Sequence, residues 1–148
     1  MQREICFEFM YSNGGKFLKA NATLNELCDN NAPNDYMYEK ALENYEDYQG
    51  IENFDLVAKR QLSEYKDKKD NDIIEGDIVV LNETKDNCYE ENQQIVFMDG
   101  AFYVGVANGS FVELLSEVRY FWHRRKKYNG IEVIGNIYET PELLKSHD

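Results

Sequence analysis

Apolar and polar side chains alternate at the start of the chain with the period of a half-buried β-strand. Every second side chain from Ile5 to Phe9 is apolar, with Cys and Glu between them. Two glycines follow an asparagine at positions 13–15, a composition typical of tight hairpin turns. The pattern predicts a strand over residues 2–11 that returns through residues 16–19 as a hairpin.

The pattern changes to helical spacing over residues 35–48. Aromatic and aliphatic side chains fall on one side and carboxylates on the other, which predicts a surface helix docked by an aromatic stripe. Asn34 is the expected N-cap and Gly50 the expected stop. Before this helix, Thr23 and Glu26 have capping-box spacing and predict a second, short helix.

Beyond residue 60 the chain consists of short apolar stretches separated by turn residues. The charged residues 66–72 predict a turn, and Asp99-Gly100 predicts a tight hairpin. The predicted strands cover residues 73–81, 94–98, 101–107 and 131–138, and a polar loop covers 84–92.

Two further helical segments are predicted in this part. Ser110 and Glu113 have capping-box spacing, so residues 111–125 are expected to form a helix. Four consecutive cations at its end lie where the helix dipole favours positive charge. Pro141 is expected at the first position of a final helical turn. The four cations are Arg124, Arg125, Lys126 and Lys127.

These elements together predict an α+β protein that is mainly β. Several short strands with an apolar face predict a small β-barrel in the C-terminal part, preceded by an N-terminal strand or hairpin and one or two helices. At 148 residues the chain has the length of one ordinary domain. We therefore expect a single domain over residues 1–148, with an acidic, partly helical segment at 21–58 and the barrel core at 60–144.

Composition bounds the class of protein. Hydrophobic residues make up 43% of the chain and aromatic residues 14%, which supplies a core and excludes wholesale disorder. The net charge of −12 repels phosphate backbones and anionic lipids, so nucleic acid and membranes are disfavoured as partners. A basic protein partner or mimicry of a polyanion is allowed. A simpler interpretation is that the acidity keeps the protein in solution.

The N-terminal residues and the cysteines indicate the cellular compartment of the protein. The first residues lack the apolar stretch of a signal peptide, and no apolar run has the length of a membrane span. Cys6, Cys28 and Cys88 are odd in number and widely spaced, which argues against a disulfide framework. The sequence therefore predicts a protein of a reducing cytoplasm.

No residue pattern of a catalytic or metal site is found. His123, His147 and the cysteines show no metal-ligand spacing. The acidic residues in and after the charged turn lack the order of a calcium loop; they are Asp70, Asp72, Glu75 and Asp77. Gly76 is therefore interpreted as a residue of special backbone geometry, and Glu75 and Asp77 as turn caps. We predict no enzymatic activity, no metal and no cofactor.

The basic cluster Arg124–Lys127 is flanked by aromatic side chains. Cations beside aromatics are the pattern of a nucleic-acid stacking surface. The alternative is the end of an amphipathic helix, whose aromatic side chains enter the core and whose cations complement the dipole. The negative charge of the whole chain favours the second interpretation.

The polar side of the predicted helix over 35–48 is a candidate protein-binding face. Carboxylates four residues apart lie about 6 Å apart along a helix axis, whereas DNA carries one phosphate per about 3.4 Å of axis per strand. Such a row can bind a basic protein or imitate a phosphate track, and a solvated surface is the simpler interpretation. The residues of this face are Asp35, Glu39, Glu43, Glu46 and Asp47.

Three segments of the chain resemble the YopX family of phage and prophage proteins. Glu132–Leu144, which reads EVIGNIYETPELL, is similar to the family's ending. Gln61–Val79 is similar to the family's charged turn and the strand after it, and Arg3–Phe7 to its start. The structural residues of these motifs are Glu75, Gly76, Asp77, Gly135, Asn136 and Pro141.

The resemblance implies an SH3-like barrel in the C-terminal part and implies no catalytic residues. Residues 20–58 have no counterpart, so the acidic segment 21–58 is interpreted as an insertion. Glu64 and Asp70 replace family glycines, and where those glycines supply a positive φ we expect this loop to be built differently. The cytoplasm of a bacterial host is the expected location.

The sequence supports three functional hypotheses, and none of them is enzymatic. The first is a phage or prophage accessory protein that binds a host or phage protein as a small regulatory module. The second is an acidic mimic that inhibits a host DNA- or RNA-binding factor. The third is nucleic-acid binding through the basic cluster. Open strand edges and tyrosine-rich faces also make a homo-oligomer an expectation.

Overall fold

The computed structural model describes residues 4–45, 53–81, 92–105, 112–116 and 131–144. The chain divides into two compact units, which we name unit 1 (residues 1–62) and unit 2 (residues 63–148). The described residues contain two antiparallel sheets and two α-helices, so the predicted mainly β class is confirmed. A single domain over the whole chain stays a prediction.

Unit 1 begins with the predicted hairpin. Strand β1 (Cys6–Asn13) and strand β2 (Lys16–Thr23) pair antiparallel. Gly14 and Gly15 between them have φ values of 54° and 89°, which is the conformation of a type I′ turn. Because this turn matches the twist of the strands it joins, the local sequence is sufficient to set their register.

Two helices follow the hairpin. Helix α1 (Leu24–Cys28) begins at the predicted capping box, since the Glu26 amide donates to Thr23 Oγ1 at 3.1 Å. Helix α2 (Pro33–Glu43) corresponds to the predicted surface helix, but it starts and ends earlier than predicted.

The predicted N-cap of α2, Asn34, is wrong. Pro33 lies in the first turn, and Ala32 is the N-cap without a side-chain hydrogen bond. Proline suits the start of a helix because its φ is already helical and its missing N–H has no intrahelical partner there. The C-cap is Asn44, and the predicted stop at Gly50 lies outside the described residues.

The core of unit 1 is formed by one side of α2 and one face of the sheet. Met37 and Ala41, one helical turn apart, are almost completely buried. Half-buried tyrosines of the helix pack against the same cluster, as the predicted aromatic stripe requires. The other buried members are Phe9, Tyr11, Leu18, Ala20, Ala22 and Phe54.

Strand β3 (Asp55–Lys66) is the longest strand. It pairs antiparallel with β1, where a bulge shifts the register between Met10 and Tyr11. Its C-terminal end continues into unit 2, where its neighbour is β4 (Asp72–Ile74). The residues between these two strands form the predicted charged turn, residues 67–71.

Unit 2 contains a second antiparallel sheet, and its last strand lies beside its first. The strand order is β8-β7-β6-β5-β9, and a short 3₁₀ helix follows β9. The elements are β5 (Asp77–Leu81), β6 (Gln93–Met98), β7 (Ala101–Gly105), β8 (Val112–Leu114), β9 (Ile131–Asn136) and the 3₁₀ helix Pro141–Leu144.

The core of unit 2 is aliphatic. Within the described ranges, strand pairing runs from β8 to β9 and does not close into a ring, so an SH3-like barrel is not confirmed. The buried residues of this core are Ile73, Val79, Ile95, Val104, Leu115 and Ile131.

The predicted hairpin between β6 and β7 is confirmed, but the strand predicted over residues 73–81 is divided into two strands. Asp99 and Gly100 have φ values of 49° and 81°, which is the expected two-residue turn. The strand predicted over 73–81 is two strands, because residues 75 and 76 form a turn in which Gly76 has a φ of 86°. The special backbone geometry predicted for Gly76 is confirmed, and it interrupts the strand that the apolar pattern alone continues through it.

The helix predicted over 111–125 is wrong at its start. Residues 112–114 form strand β8, in which Leu114 lies opposite Tyr103 of β7. A capping box expresses a local preference, and extension of the sheet outweighs it here. The part of the predicted helix from residue 117 lies outside the described residues.

Two residues that replace family glycines keep a glycine-like backbone. Glu64 has a φ of 76° and Asp70 a φ of 66°. A side chain with a Cβ is therefore compatible with a positive φ at both positions. A left-handed conformation costs a residue with a Cβ about 1–2 kcal/mol, and Asp tolerates it better than Glu.

Replacing Glu64 with Gly is expected to stabilise the protein by about 1 kcal/mol relative to Glu64→Ala, because only glycine removes the Cβ strain at this φ. Alanine is the matched control, since it removes the same carboxylate and keeps the Cβ. The measurement is the urea midpoint of both variants. Equal midpoints would show that the backbone carries no strain at this position.

Candidate functional site

The candidate interaction surface is the outward side of α2. Asp35, Glu39 and Glu43 follow one another at intervals of four residues, and all three are exposed. Residues at this spacing lie on one helix face, about 6 Å apart along the axis. The other two residues of the predicted acidic face, Glu46 and Asp47, lie outside the described residues.

Lys40, which lies on the same helix, is engaged within unit 1. Its Nζ lies 3.2 Å from Glu26 Oε1 and donates to the Asn21 carbonyl at 2.6 Å. The Tyr36 hydroxyl donates to the same carboxylate oxygen at 2.6 Å. The hydrogen bonds from Tyr36 and Lys40 lower the pKa of Glu26, and the contact with Glu26 raises the pKa of Tyr36.

The three exposed carboxylates of α2 are accessible to solvent or to a partner. In the part of the chain that the structure describes, none of them forms an ion pair, because Lys40 is directed to Glu26. They therefore form a row of negative charge, which we name the acidic face and define as Asp35, Glu39 and Glu43.

The helix beneath the acidic face is held by a buried tyrosine. The Tyr11 hydroxyl donates to the Asn34 carbonyl at 3.4 Å, and its ring centroid lies 5.2 Å from that of Tyr38. Burial, with Tyr38 and Asp35 nearby, raises the pKa of Tyr11 to about 12. Because this hydroxyl stays protonated at neutral pH, it remains a hydrogen-bond donor to the start of α2.

The basic cluster Arg124–Lys127 lies outside the described residues. Among the residues that are described, no group of three or more His, Cys, Asp or Glu side chains could hold a metal ion. Over the same ranges, no helix has the length and apolar character needed to cross a bilayer.

Gly76 and Asp77 join several parts of unit 2. The Gly76 amide donates to the Ile95 carbonyl at 2.8 Å, and its carbonyl accepts from the Ile137 amide at 2.9 Å. Asp77 is only 4% exposed, and its Oδ2 accepts the Ile74 amide at 2.8 Å. The carboxylate thus caps the turn between β4 and β5, and the glycine connects that turn to β6 and to the residues after β9.

Gly135 and Asn136 turn the chain at the end of β9. Asn136 Oδ1 accepts the amides of Tyr138 and Glu139 at 2.9 and 2.8 Å. A Cβ on Gly135 would lie 2.0 Å from Thr140 Oγ1, so a larger residue would force this turn apart. Glycine is needed here for close approach, since the turn folds back onto the strand.

The family-like motifs meet in the pairing of β5 with β9. Asp77 lies opposite Asn136, and Ile78 lies opposite Gly135. Glu75 is half-buried in the turn before β5, and Pro141 begins the 3₁₀ helix. The contacts of Gly76, Asp77, Gly135 and Asn136 are turn caps, strand pairing and close packing, which is a structural role. The turn-cap role of Glu75 stays a prediction.

Asp67 is a structural residue that the sequence analysis missed. It is 3% exposed, and its carboxylate accepts the amides of Lys69, Asn71 and Val133, each at 2.9 Å. Burial acts to raise its pKa, but these backbone hydrogen bonds outweigh burial and hold the pKa of Asp67 below its ordinary value. The available signal was an Asp that opens a turn, the usual position for an Asx hydrogen bond.

These observations define a mainly β protein of two units, with a hydrogen-bonded scaffold in unit 2 and an acidic helix face in unit 1. A family model described as YopX protein matches residues 8–145. The chain therefore belongs to the YopX family. The matched range includes residues 20–58, for which we had expected no counterpart.

One solved structure with a similar chain is that of protein EF1440 from Enterococcus faecalis, at 23% sequence identity and a TM-score of 0.44. The alignment covers 93% of this chain and 75% of that protein. None of the curated proteins matches the chain.

Proposed function

We propose that this chain is a phage- or prophage-encoded accessory protein that binds a basic partner protein, of host or phage origin, through the acidic face of α2. One observation carries the proposal. Three exposed carboxylates form a row on a helix whose own lysine is already paired with Glu26.

The chemistry of the acidic face supports a protein partner. Fixed carboxylates attract a cationic surface from a distance and accept charge-assisted hydrogen bonds from Arg or Lys on contact. The net charge of −12 adds to this attraction and repels polyanions. Since α2 is anchored through Met37 and Ala41, the face does not have to be ordered on binding.

The role that fits this surface is a small regulatory module in the cytoplasm of a bacterial host, acting without catalysis or a cofactor. Binding of this kind changes what the partner does by covering its basic surface. Electrostatic complementarity raises the association rate and selects among partners more than it raises affinity.

A second candidate function is that the acidic face imitates nucleic-acid phosphates and inhibits a host DNA- or RNA-binding factor. The carboxylate spacing of about 6 Å is close to twice the axial phosphate spacing of about 3.4 Å on one DNA strand. The two candidates differ in one measurable respect: at physiological salt, added duplex DNA displaces a DNA-binding factor held by mimicry far more than a basic protein that has no nucleic-acid site.

Capture of partners from host lysate tests the proposal. The tagged parent is compared with the triple variant Asp35→Asn, Glu39→Gln, Glu43→Gln. The matched control neutralises three exposed carboxylates elsewhere, Asp29→Asn, Asp55→Asn and Glu142→Gln, so both variants lose three of the 28 acidic side chains.

We expect the α2 variant to capture at least about tenfold less partner than the control, because rim and core charges at an interface change both encounter and retention. Nuclease treatment of the lysate separates contacts made through protein from contacts made through nucleic acid. Equal capture by the α2 variant and the control would remove the acidic face as the binding surface.

We also propose that unit 2 closes into an SH3-like barrel, that copies of the chain self-associate, and that residues 124–127 contact nucleic acid. An electrophoretic shift at low salt tests the last of these, since phosphate contacts are strongest there.

A further inference from the structure

The outer edge of β9 is covered by a turn instead of a strand. On its inner side β9 pairs with β5. On its outer side, the Val133 amide donates to Asp67 Oδ2 at 2.9 Å, and the Ile131 carbonyl accepts from the Lys68 amide at 2.9 Å. One outward backbone group of Val133 and one of Ile131, two alternate residues of β9, are thus paired with residues 67 and 68.

The covering segment is held in shape by the same carboxylate. Asp67 Oδ1 accepts the amides of Lys69 and Asn71, and the Asp67 amide donates to the Asn71 carbonyl at 2.9 Å. One oxygen therefore closes the turn and the other attaches it to β9. Asp67 is the residue that couples the two.

An ion pair adds a second attachment between the turn and the strand. Lys69 Nζ lies 2.6 Å and Lys68 Nζ 3.5 Å from the carboxylate of Glu132, which lies between the two covered positions of β9. These groups are partly exposed, so they contribute less than the buried carboxylate of Asp67.

We propose that residues 67–71 are an edge cover for β9, and that displacing this cover opens β9 to antiparallel pairing with β9 of a second copy of the chain. An uncovered strand edge presents unpaired N–H and C=O groups, which act as a template for another strand. Proteins commonly protect such edges with a loop, and residues 67–71 have that position here.

A second copy is the occupant that the backbone groups of β9 fit. With Ile131 opposite Val133 of the other chain, each of these residues exchanges hydrogen bonds with its counterpart, and the arrangement closes on itself as a two-fold pair. Ile134, 36% exposed on the same strand, supplies apolar surface beside this ladder. In this register the two Glu132 side chains face each other, so the native sequence also opposes pairing by charge.

Asp67→Asn is the test variant. An amide group has one acceptor oxygen, so it cannot serve both Val133 and the Lys69 and Asn71 amides, and its NH₂ group faces one of these donors. Asp77→Ala is the matched control, because it removes another buried turn-capping carboxylate of unit 2, which lies in β5 on the inner side of β9.

Sedimentation mass is measured for the parent, the control and the test variant over a wide range of concentrations. We expect Asp67→Asn to reach about twice the parent's mass as an isologous pair, while Asp77→Ala keeps the mass of the parent. Adding Ile134→Lys to Asp67→Asn is expected to restore the parent's mass, since a lysine on an edge strand blocks pairing.

Amide hydrogen exchange gives a second readout on the double variant Asp67→Asn, Ile134→Lys, in which β9 is uncovered but not paired. We expect faster exchange at Val133 in this variant than in Asp77→Ala. If Asp67→Asn does not fold, Asp67→Glu replaces it, because the longer side chain keeps the charge and displaces the carboxylate. The proposal is overturned if the folded Asp67 variant keeps the parent's mass at every concentration, or if it associates equally with and without Ile134→Lys.

Discussion

Replacing Arg60 with Ala is expected to lower the free energy of unfolding by about 3–5 kcal/mol, because it leaves the Glu8 carboxylate buried without its cation. Arg60 is 2% exposed and Glu8 7% exposed. Arg60 Nε and Nη2 lie 3.0 and 2.5 Å from Glu8 Oε1. The pair joins β1 to β3 on the sheet face opposite Phe9.

The measurement is equilibrium urea unfolding of the parent and the variant. The control is the double variant Glu8→Met, Arg60→Met, which removes both charges and fills a similar volume. Replacing a buried ion pair by apolar residues is often neutral, so we expect the double variant to be more stable than Arg60→Ala. If Arg60→Ala loses less than about 1 kcal/mol, in the range of an exposed pair, the charges are not buried together as described.

Acidification is expected to destabilise unit 2 through Asp67. The pKa of Asp67 is lowered in the folded protein, so its carboxylate stays ionised at a pH where the unfolded chain begins to bind protons. The unfolded pKa of an Asp is about 3.9. The stabilisation is complete above the unfolded pKa and is lost as pH falls through the folded pKa. Stability should therefore decrease below about pH 4.

The Asp67→Asn variant separates this contribution from those of other carboxylates. We expect it to lose about 3 kcal/mol at pH 7, because charge-assisted hydrogen bonds to buried amides are removed. Its melting temperature should also fall less than that of the parent between pH 7 and pH 3. Parallel pH profiles for the two proteins would mean that Asp67 does not carry the acid sensitivity. Glu26 and Glu132, whose pKa values are also lowered, account for part of the remaining slope.

Local patterns in the sequence were enough to predict the features that depend on nearby residues. The two glycines after Asn13 and the turn at Asp99 need only positive φ values, and the Thr23 cap needs only a hydroxyl before a helix. The acidic face follows in the same way, because a four-residue spacing places Asp35 and Glu39 on one side of any helix. The identity of the partner that binds the acidic face depends on the surface of another molecule, so this sequence alone does not predict it.

The features that the sequence did not predict depend on partners far away in the chain. Glu8 meets Arg60, 52 residues later, and Asp67 meets Val133, 66 residues later. Alternation along β1 correctly separates Glu8 from the aromatic face, but it gives no sign that this second face is also buried. Strand β8 is a similar case, since its conformation is decided by β7 and not by the capping box before it.

Two glycines of the motifs that resemble the YopX family have a local physical explanation in the structure. Gly76 and Gly135 lie where a positive φ or a close approach requires glycine. The glycine-like φ of Glu64 shows the limit of such reasoning. A residue with a Cβ can adopt a conformation that favours glycine, because about 1 kcal/mol of strain is small beside the packing of a whole unit.

The position of β9 gives unit 2 a dependence on the order of synthesis. Ile131 belongs to the core, and Val133 lies opposite Val79, a residue that leaves the ribosome much earlier. The hairpin of unit 1 can pair as soon as it emerges, whereas β5 must wait with one edge unsatisfied. A nascent chain that is arrested before residue 131 would therefore expose this edge and part of an aliphatic core to chaperones and proteases.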